Sequence, residues 1–150
     1  MKKKFAGYIN LKLLNGVLYP SSMQNILMKD YVQQKLKSIF YLSPTEVLQA
    51  KYAITLQTLL GPETSVSGVV MLSSFLLPSN SLERFKIYSM ALKNKKSIHF
   101  ILDEIIFKTK KDINLVEDFY IFNDKFFTET KMKMNSFEEL LLKNIKVSFV

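Results

Sequence analysis

The sequence predicts one α/β domain with a mainly parallel sheet of four or five strands and helices on both faces. Two observations carry this. Compact apolar runs alternate with stretches of helical spacing, the pattern of strand–crossover–strand units. One of these runs, Gly68 to Leu72, holds no polar residue and shows no alternation, as in a central strand covered on both sides. The 150 residues match a single domain, able to bury about two-thirds of the surface its unfolded chain exposes.

Phe5 to Asn10 reads as the first strand, leading to the turn-favouring pair Asn15-Gly16 and to Tyr19-Pro20. Ser21 or Ser22 can cap the first helix, in which Met23, Ile26, Leu27, Tyr31 and Leu36 recur near helical spacing through Lys37. Ser38 to Leu42 is the second strand. It stops at Ser43-Pro44-Thr45-Glu46, where the Ser43 hydroxyl can accept from an orphan amide and Glu46 can reach back to the Ser43 amide, so a helix is expected from there to about Leu60. Gly61-Pro62 ends it. Gly68 to Leu72 is the third strand, and Asn80 with Glu83 repeats the helix-start pattern ahead of Leu82, Phe85, Ser89 and Leu92. Ser97 to Leu102 is the fourth strand, with Asp103 and Glu104 at its end, and Ile105 to Lys108 can add a short extra one. From about residue 112 the chain is expected to form C-terminal helices: Ile113, Val116, Tyr120, Asn123 and Phe127 line one face, and Phe137 to Ile145 makes a final helix or arm.

Composition removes several classes of function. Without cysteine there is no disulfide scaffold, thiolate metal centre or cysteine nucleophile, and a single histidine leaves no convergent ligand set, so no metal is expected. Met1 to Lys4 carry the charge of a signal peptide, but Tyr8, Asn10, Lys12 and Asn15 interrupt the apolar run it needs, and no stretch approaches the roughly 18 apolar residues of a membrane span. A cytoplasmic chain without membrane contact is the expectation. The net charge of +8 invites an anionic partner. Arg84 is the only arginine among 21 basic residues, however, and the chain is rich in Ile, Phe and Asn, as an AT-rich genome would encode, so nucleic acid is not the expected partner.

Ligands of such folds sit beyond the carboxyl ends of the strands, where strand order reverses, which directs attention to Asn10 to Asn15, Leu42 to Glu46, Ser73 to Leu77 and His99 to Glu104. The four glycines form no phosphate-binding loop, and no nucleophile-elbow pattern surrounds Ser73 or Ser74, so neither a bound cofactor nor a serine hydrolase is expected. His99 lies within a strand, either satisfied by a local partner or facing a pocket. Asp103 and Glu104 are adjacent, and at most one can point into a given site. Glu46 has a structural explanation as a cap, which does not exclude function. Phe119, Tyr120, Phe122, Phe126 and Phe127 fit a buried or oligomer-forming helix face, and a homodimer is expected.

Two resemblances rest on particular motifs. GYIN, the early helix with Gln24, GVVMLSSFLLPSNSLERF and SIHFILDE resemble the first strand, first helix, central strand–loop–helix and acid-ended strand of serine resolvase catalytic domains, over Phe5 to Glu104. That resemblance implies a resolvase-like or flavodoxin-like sheet. The family's DNA chemistry needs a serine just after the first strand and several arginines; here Lys12 lies near the serine position, so strand exchange should not carry over. GYINLKLLNG, YPSSMQN, KDY, LSPTE, SSFLLP and HFILDE more closely resemble the sporadic carbohydrate cluster proteins, found among bacterial surface-polysaccharide genes, over Gly7 to about Asp118. Lys12 and Lys29 stand where arginine is expected, Val32 where cysteine is common and Asp103 where glutamate is usual.

This second resemblance implies a role in making a surface sugar, with a sugar phosphate or sugar nucleotide bound at the strand ends. Asn10, Lys12, Asn15, Gln24, Lys29, Glu46 and Ser73 are the candidate ligand-binding residues, and His99 or Glu104 is the acid–base candidate if the chain is catalytic. A non-catalytic, dimeric partner of a carbohydrate enzyme remains the alternative, with a basic nucleic-acid binder behind both.

Overall fold

The computed structural model describes residues 2–47 and 52–148. Its sheet has the order β2-β1-β3-β4-β5, built from β1 (Lys4–Gly7), β2 (Ile39–Phe40), β3 (Gly68–Met71), β4 (Ser97–Phe100) and β5 (Ile105–Phe107). The first four strands pair in parallel, and β5 folds back antiparallel on β4. Among the described residues four α-helices complete the fold: α1 (Ser21–Asp30), continued by a π-helical turn over Tyr31–Lys35, then α2 (Ile54–Leu60), α3 (Ser81–Lys93) and α4 (Asp112–Ser148). The mainly parallel α/β sheet expected from the sequence is therefore present.

Alternation along β1 separates the two helical layers. Gly7 faces α1 so closely that a Cβ would come within 2.9 Å of Met28 Cε and of Phe40 Cζ. Its neighbour Tyr8 faces the other way, toward Glu46 and α2. On that side α2 and α3 pack on each other and on β3 and β4, enclosing Val69, Met71, Leu56, Leu60, Ile87 and Tyr88. All four residues of β3 are buried, which explains the absence of alternation there.

The elements depart from expectation at three places, each for a physical reason. In α1 the buried positions are Gln24, Met28 and, in the following turn, Val32, whereas Met23 and Ile26 are 48% and 66% exposed. The Gln24 carboxamide sets this rotation. Its Nε2 donates to the carbonyls of Asn10 (2.9 Å) and Tyr19 (2.8 Å), and its Oε1 accepts from the Asn10 amide, so a polar residue must face inward. Neither Ser21 nor Ser22 caps the helix; Pro20 stands at that position.

The helix expected to begin at Ser43 does not begin there. Ile9 and Thr45 form a parallel bridge, in which Ile9 donates to the Pro44 carbonyl and Glu46 to the Ile9 carbonyl, and this continuation of the sheet displaces the local cap. Ser43 instead donates to Asn25, and α2 starts at Ile54; residues 48–51 of the expected helix lie outside the described residues. Glu46 nevertheless meets a helix N-terminus, accepting from the amides of Thr55 (3.3 Å) and Leu56 (3.4 Å) at the start of α2. At α3 half of the predicted box forms. Asn80 accepts from Leu82 at 2.8 Å, while Glu83 pairs with Lys86.

The third departure is α4, one continuous helix of 37 residues, on the order of 55 Å long, where two elements were expected. Asp112 starts it by accepting from the amides of Lys108 and Thr109, and burial against β5 and the 3-10 turn Ser74–Leu76 holds its first part to the body. No helix among the described residues is long and apolar enough to cross a membrane.

Candidate functional site

Strand order reverses between β1 and β3, and the segments that leave these two strands face a cleft of about 1380 Å³. Tyr8, Asn10, Lys12 and Glu46 line it from the β1 side, Leu76 and Leu77 from the β3 side, and Lys86 and Lys93 from α3.

Tyr8 is the pivot. Fully buried at the ring, it donates its hydroxyl to Glu46 Oε2 (2.9 Å) and accepts from Asn10 Nδ2 (3.2 Å). Burial, and then the neighbouring Glu46 charge, push its pKa far above that of an ordinary phenol, so it stays protonated at every physiological pH. Glu46 also accepts from the amides of Val47, Thr55 and Leu56. Its oxygens are fully engaged, which suits a carboxylate that fixes geometry. Asn10 closes the turn after β1: Oδ1 accepts from the Lys12 amide (3.0 Å) and Nδ2 donates to the Leu76 carbonyl (3.4 Å).

Lys12 projects from this turn across aromatic faces. Its Nζ lies 4.5 Å from the Phe75 ring centroid and 5.6 Å from that of Tyr120, with two long hydrogen bonds to the Leu77 carbonyl (3.3 Å) and the Tyr120 hydroxyl (3.4 Å). Phe75 and Tyr120 stack at 5.5 Å to form that platform. Partial burial lowers the Lys12 pKa, Asp124 opposes this at a distance and Arg84 adds to it. Among the described residues Lys12 makes no ion pair.

Arg84, beside it, is closed. Its Nε and Nη2 each donate at 2.8 Å to Glu117 of α4, and Nη1 donates to the carbonyls of Pro78 and Ser79. Tyr88 donates to the same Glu117 at 2.7 Å. Burial disfavours both charges, but their mutual hydrogen bonds outweigh it, raising the Arg84 pKa and lowering that of Glu117. The chain's one guanidinium thus staples α3 to α4.

The structure brings Asn10, Lys12 and Glu46 together, with Gln24 buttressing Asn10 from below. It does not bring the other candidates to them. Asn15 sits at φ 52 at the exposed tip of the Leu14–Val17 hairpin, followed by Gly16 at φ 80. Lys29 is exposed in the last turn of α1. Ser73 is locked inside its own loop, donating to Asp103 (2.8 Å) and accepting from the Phe75 amide. Glu104 is exposed in the tight turn between β4 and β5, at φ 56. His99 turns toward the α1 layer, with Nδ1 2.9 Å from the Tyr31 hydroxyl and Nε2 3.0 Å from Ser97 Oγ. The expected pairing of Lys12 with His99 or Glu104 in one pocket is therefore not what the fold makes.

Sequence reasoning passed over Tyr8 as a site residue, along with Phe75 and Glu117. A tyrosine placed where β1 meets its polar turn was the available signal for the first. The Glu117 partnership follows from tertiary packing and has no local signature.

No protein-family model matches the chain, and no curated protein matches it, so the resemblance to the sporadic carbohydrate cluster proteins stands on its motifs alone. Among solved structures the chain is similar to the N-terminal catalytic domain of TP901-1 integrase, with a TM-score of 0.58 and 14% identity over 93% of this chain and 98% of that one. That likeness carries the fold: a resolvase-like mixed α/β domain.

Proposed function

We propose that this chain binds an anionic, polyhydroxylated sugar intermediate, a sugar phosphate or sugar nucleotide, in the strand-end cleft, and that it serves bacterial surface-carbohydrate synthesis rather than DNA strand exchange. The observation that carries the reading is Lys12: a half-buried ammonium aimed across the cleft wall, held by long contacts and ring faces, with room for an anion as its partner. Asn10 Oδ1 beside it accepts from the Lys12 amide and keeps a second lone pair that suits a ligand hydroxyl. Against strand exchange, Tyr8 to Lys12 contains no serine and the single arginine is occupied by Glu117. Because the Glu46 oxygens are engaged and Tyr8 keeps its proton, the site favours binding over acid–base turnover.

A homodimer through α4 accompanies this reading. Beyond the segment that packs on the body, Phe122, Phe126, Phe137 and Leu140 are each at least 59% exposed and fall within about 60° of one another around the helix, an apolar stripe that a second copy would cover. Native mass spectrometry with a panel of sugar phosphates and sugar nucleotides tests both parts. A stoichiometric adduct that is lost in Lys12→Met, carried on a dimer, is the expected result. A dimer that retains nothing from the panel would favour the non-catalytic partner reading, and a monomer without adduct would remove both.

A further inference from the structure

The opposite end of the sheet holds a second pocket, of about 580 Å³, where the parallel strands begin. Five chain segments converge there: Lys3 just before β1 with Phe5 in it, Leu36 and Ser38 before β2, Ser67 before β3, Lys95 to Ser97 leading into β4, and Lys108 after β5, which arrives because β5 runs antiparallel. Four lysines line this pocket and no carboxylate does. The charge is not an accident of one flexible loop. Lys96 is 6% exposed, its Nζ fixed by the carbonyls of Leu59, Gly61 and Thr64 and by Thr64 Oγ1, so its positive charge is built into the wall. Lys3, Lys95 and Lys108 make no ion pair among the described residues. Asp112 draws near Lys108 but is committed to the amides at the start of α4.

The floor is built too. His99 is 2% exposed and wedged edge-on against Phe5 and Tyr31, its Nε2 tied to Ser97 Oγ at 3.0 Å. Ser67 supplies a hydroxyl, while Ser38 donates to the Leu36 carbonyl and Ser97 is tied to His99; Phe5, Leu36 and Leu92 form an apolar side. The volume lies in the range of small-ligand sites.

We propose that this pocket is a second binding site, for a phosphate group, with the lysines as point charges, and the ammonium groups of Lys3, Lys95 and Lys108 and the Ser67 hydroxyl as hydrogen-bond donors. It is independent of the strand-end cleft and of whatever that cleft binds. The apolar side accommodates the organic part of a phosphomonoester, and a bare phosphate would leave it uncovered.

His99 is the chain's single histidine, so its imidazole resonances report this pocket without ambiguity. The experiment titrates the full chain with inorganic phosphate, with phenyl phosphate and with sodium chloride at matched ionic strength, following the His99 signals by NMR. Saturable shifts with a phosphate probe, absent with chloride, are expected, together with a rise in the His99 pKa as the bound anion offsets the lysine field. Tighter saturation by phenyl phosphate assigns the ligand as a phosphomonoester; equal saturation assigns it as free phosphate. In the double variant Lys95→Asn, Lys108→Gln, chosen because asparagine tolerates the φ of 54° at Lys95, affinity should fall by roughly tenfold or more while the amide spectrum stays dispersed. Lys12→Met should leave the titration unchanged, which separates this site from the cleft. Shifts that grow linearly and equally with phosphate and chloride would show screening only and overturn the proposal, as would a double variant that binds as the wild type does.

Discussion

Two lysines removed from bulk water are treated in opposite ways. Lys96, leading into β4, is closed: four oxygens at 2.6–3.1 Å surround its ammonium where α2 ends, so the cation supplies the donors that the helix carbonyls lack. Lys12, beyond β1, is open: its two hydrogen bonds are 3.3 and 3.4 Å long, and ring faces stand where counter-charges would be. Arg84 belongs with Lys96, closed by Glu117 and two carbonyls. A buried cation with full coordination has a structural task, whereas one with weak coordination in a cleft has capacity left for a ligand.

The contrast predicts a ranking. The largest effect is expected from Glu117→Gln, which leaves the Arg84 charge buried beside a neutral group; urea unfolding should show a loss of about 4 kcal/mol. A stability near wild type would mean that the α3–α4 staple is dispensable. Next comes pH. Burial first, and the Lys108 charge second, lower the His99 pKa to about 4, against about 6.5 in the unfolded chain. Between these values the unfolded chain binds a proton that the native imidazole refuses, so His99 contributes a loss of stability as pH falls from about 6.5 to about 4, reaching roughly 3 kcal/mol at the lower end. Comparing wild type with His99→Gln by urea unfolding at both pH values isolates this loss; equal pH dependence would contradict it.

Lys96→Met should cost about 2 kcal/mol, because carbonyls at the end of α2 lose their donor. Lys12→Met should change stability by less than about 1 kcal/mol, since it removes only weak contacts and keeps an aliphatic stem over Phe75 and Tyr120. If Lys12→Met destabilised the fold as much as Lys96→Met, the distinction between open and closed cations would fail.

The sheet was legible because its signals are local. The unbroken apolarity of Gly68 to Leu72, the Asn80 cap and the Asn15-Gly16 turn each depend on neighbours in sequence, and each formed. What misled were signals with a stronger long-range competitor. Ser43 to Glu46 carries the chemistry of a helix start, but bridging to Ile9 extends the sheet by main-chain hydrogen bonds, and Glu46 caps a helix further along. Met23 and Ile26 look like a core stripe, but Gln24 holds the turn after β1 from inside. Asn10, Lys12 and Glu46 come to line one cleft because they flank strand ends, while His99 shows that membership of a strand does not fix which layer a side chain enters. One-residue alternation decides that, and the register emerges only from pairing with β3.

The central claim is that Lys12 is the open cation of a strand-end site. Isothermal titration calorimetry of wild type, Lys12→Arg and Lys12→Met, with the sugar phosphate or sugar nucleotide that the wild type retains best, tests it most directly. The account predicts measurable binding by wild type, retained by Lys12→Arg and weakened by roughly tenfold or more in Lys12→Met, with all three proteins equally folded. Equal affinity in wild type and Lys12→Met would contradict it, and would place the ligand away from the strand ends.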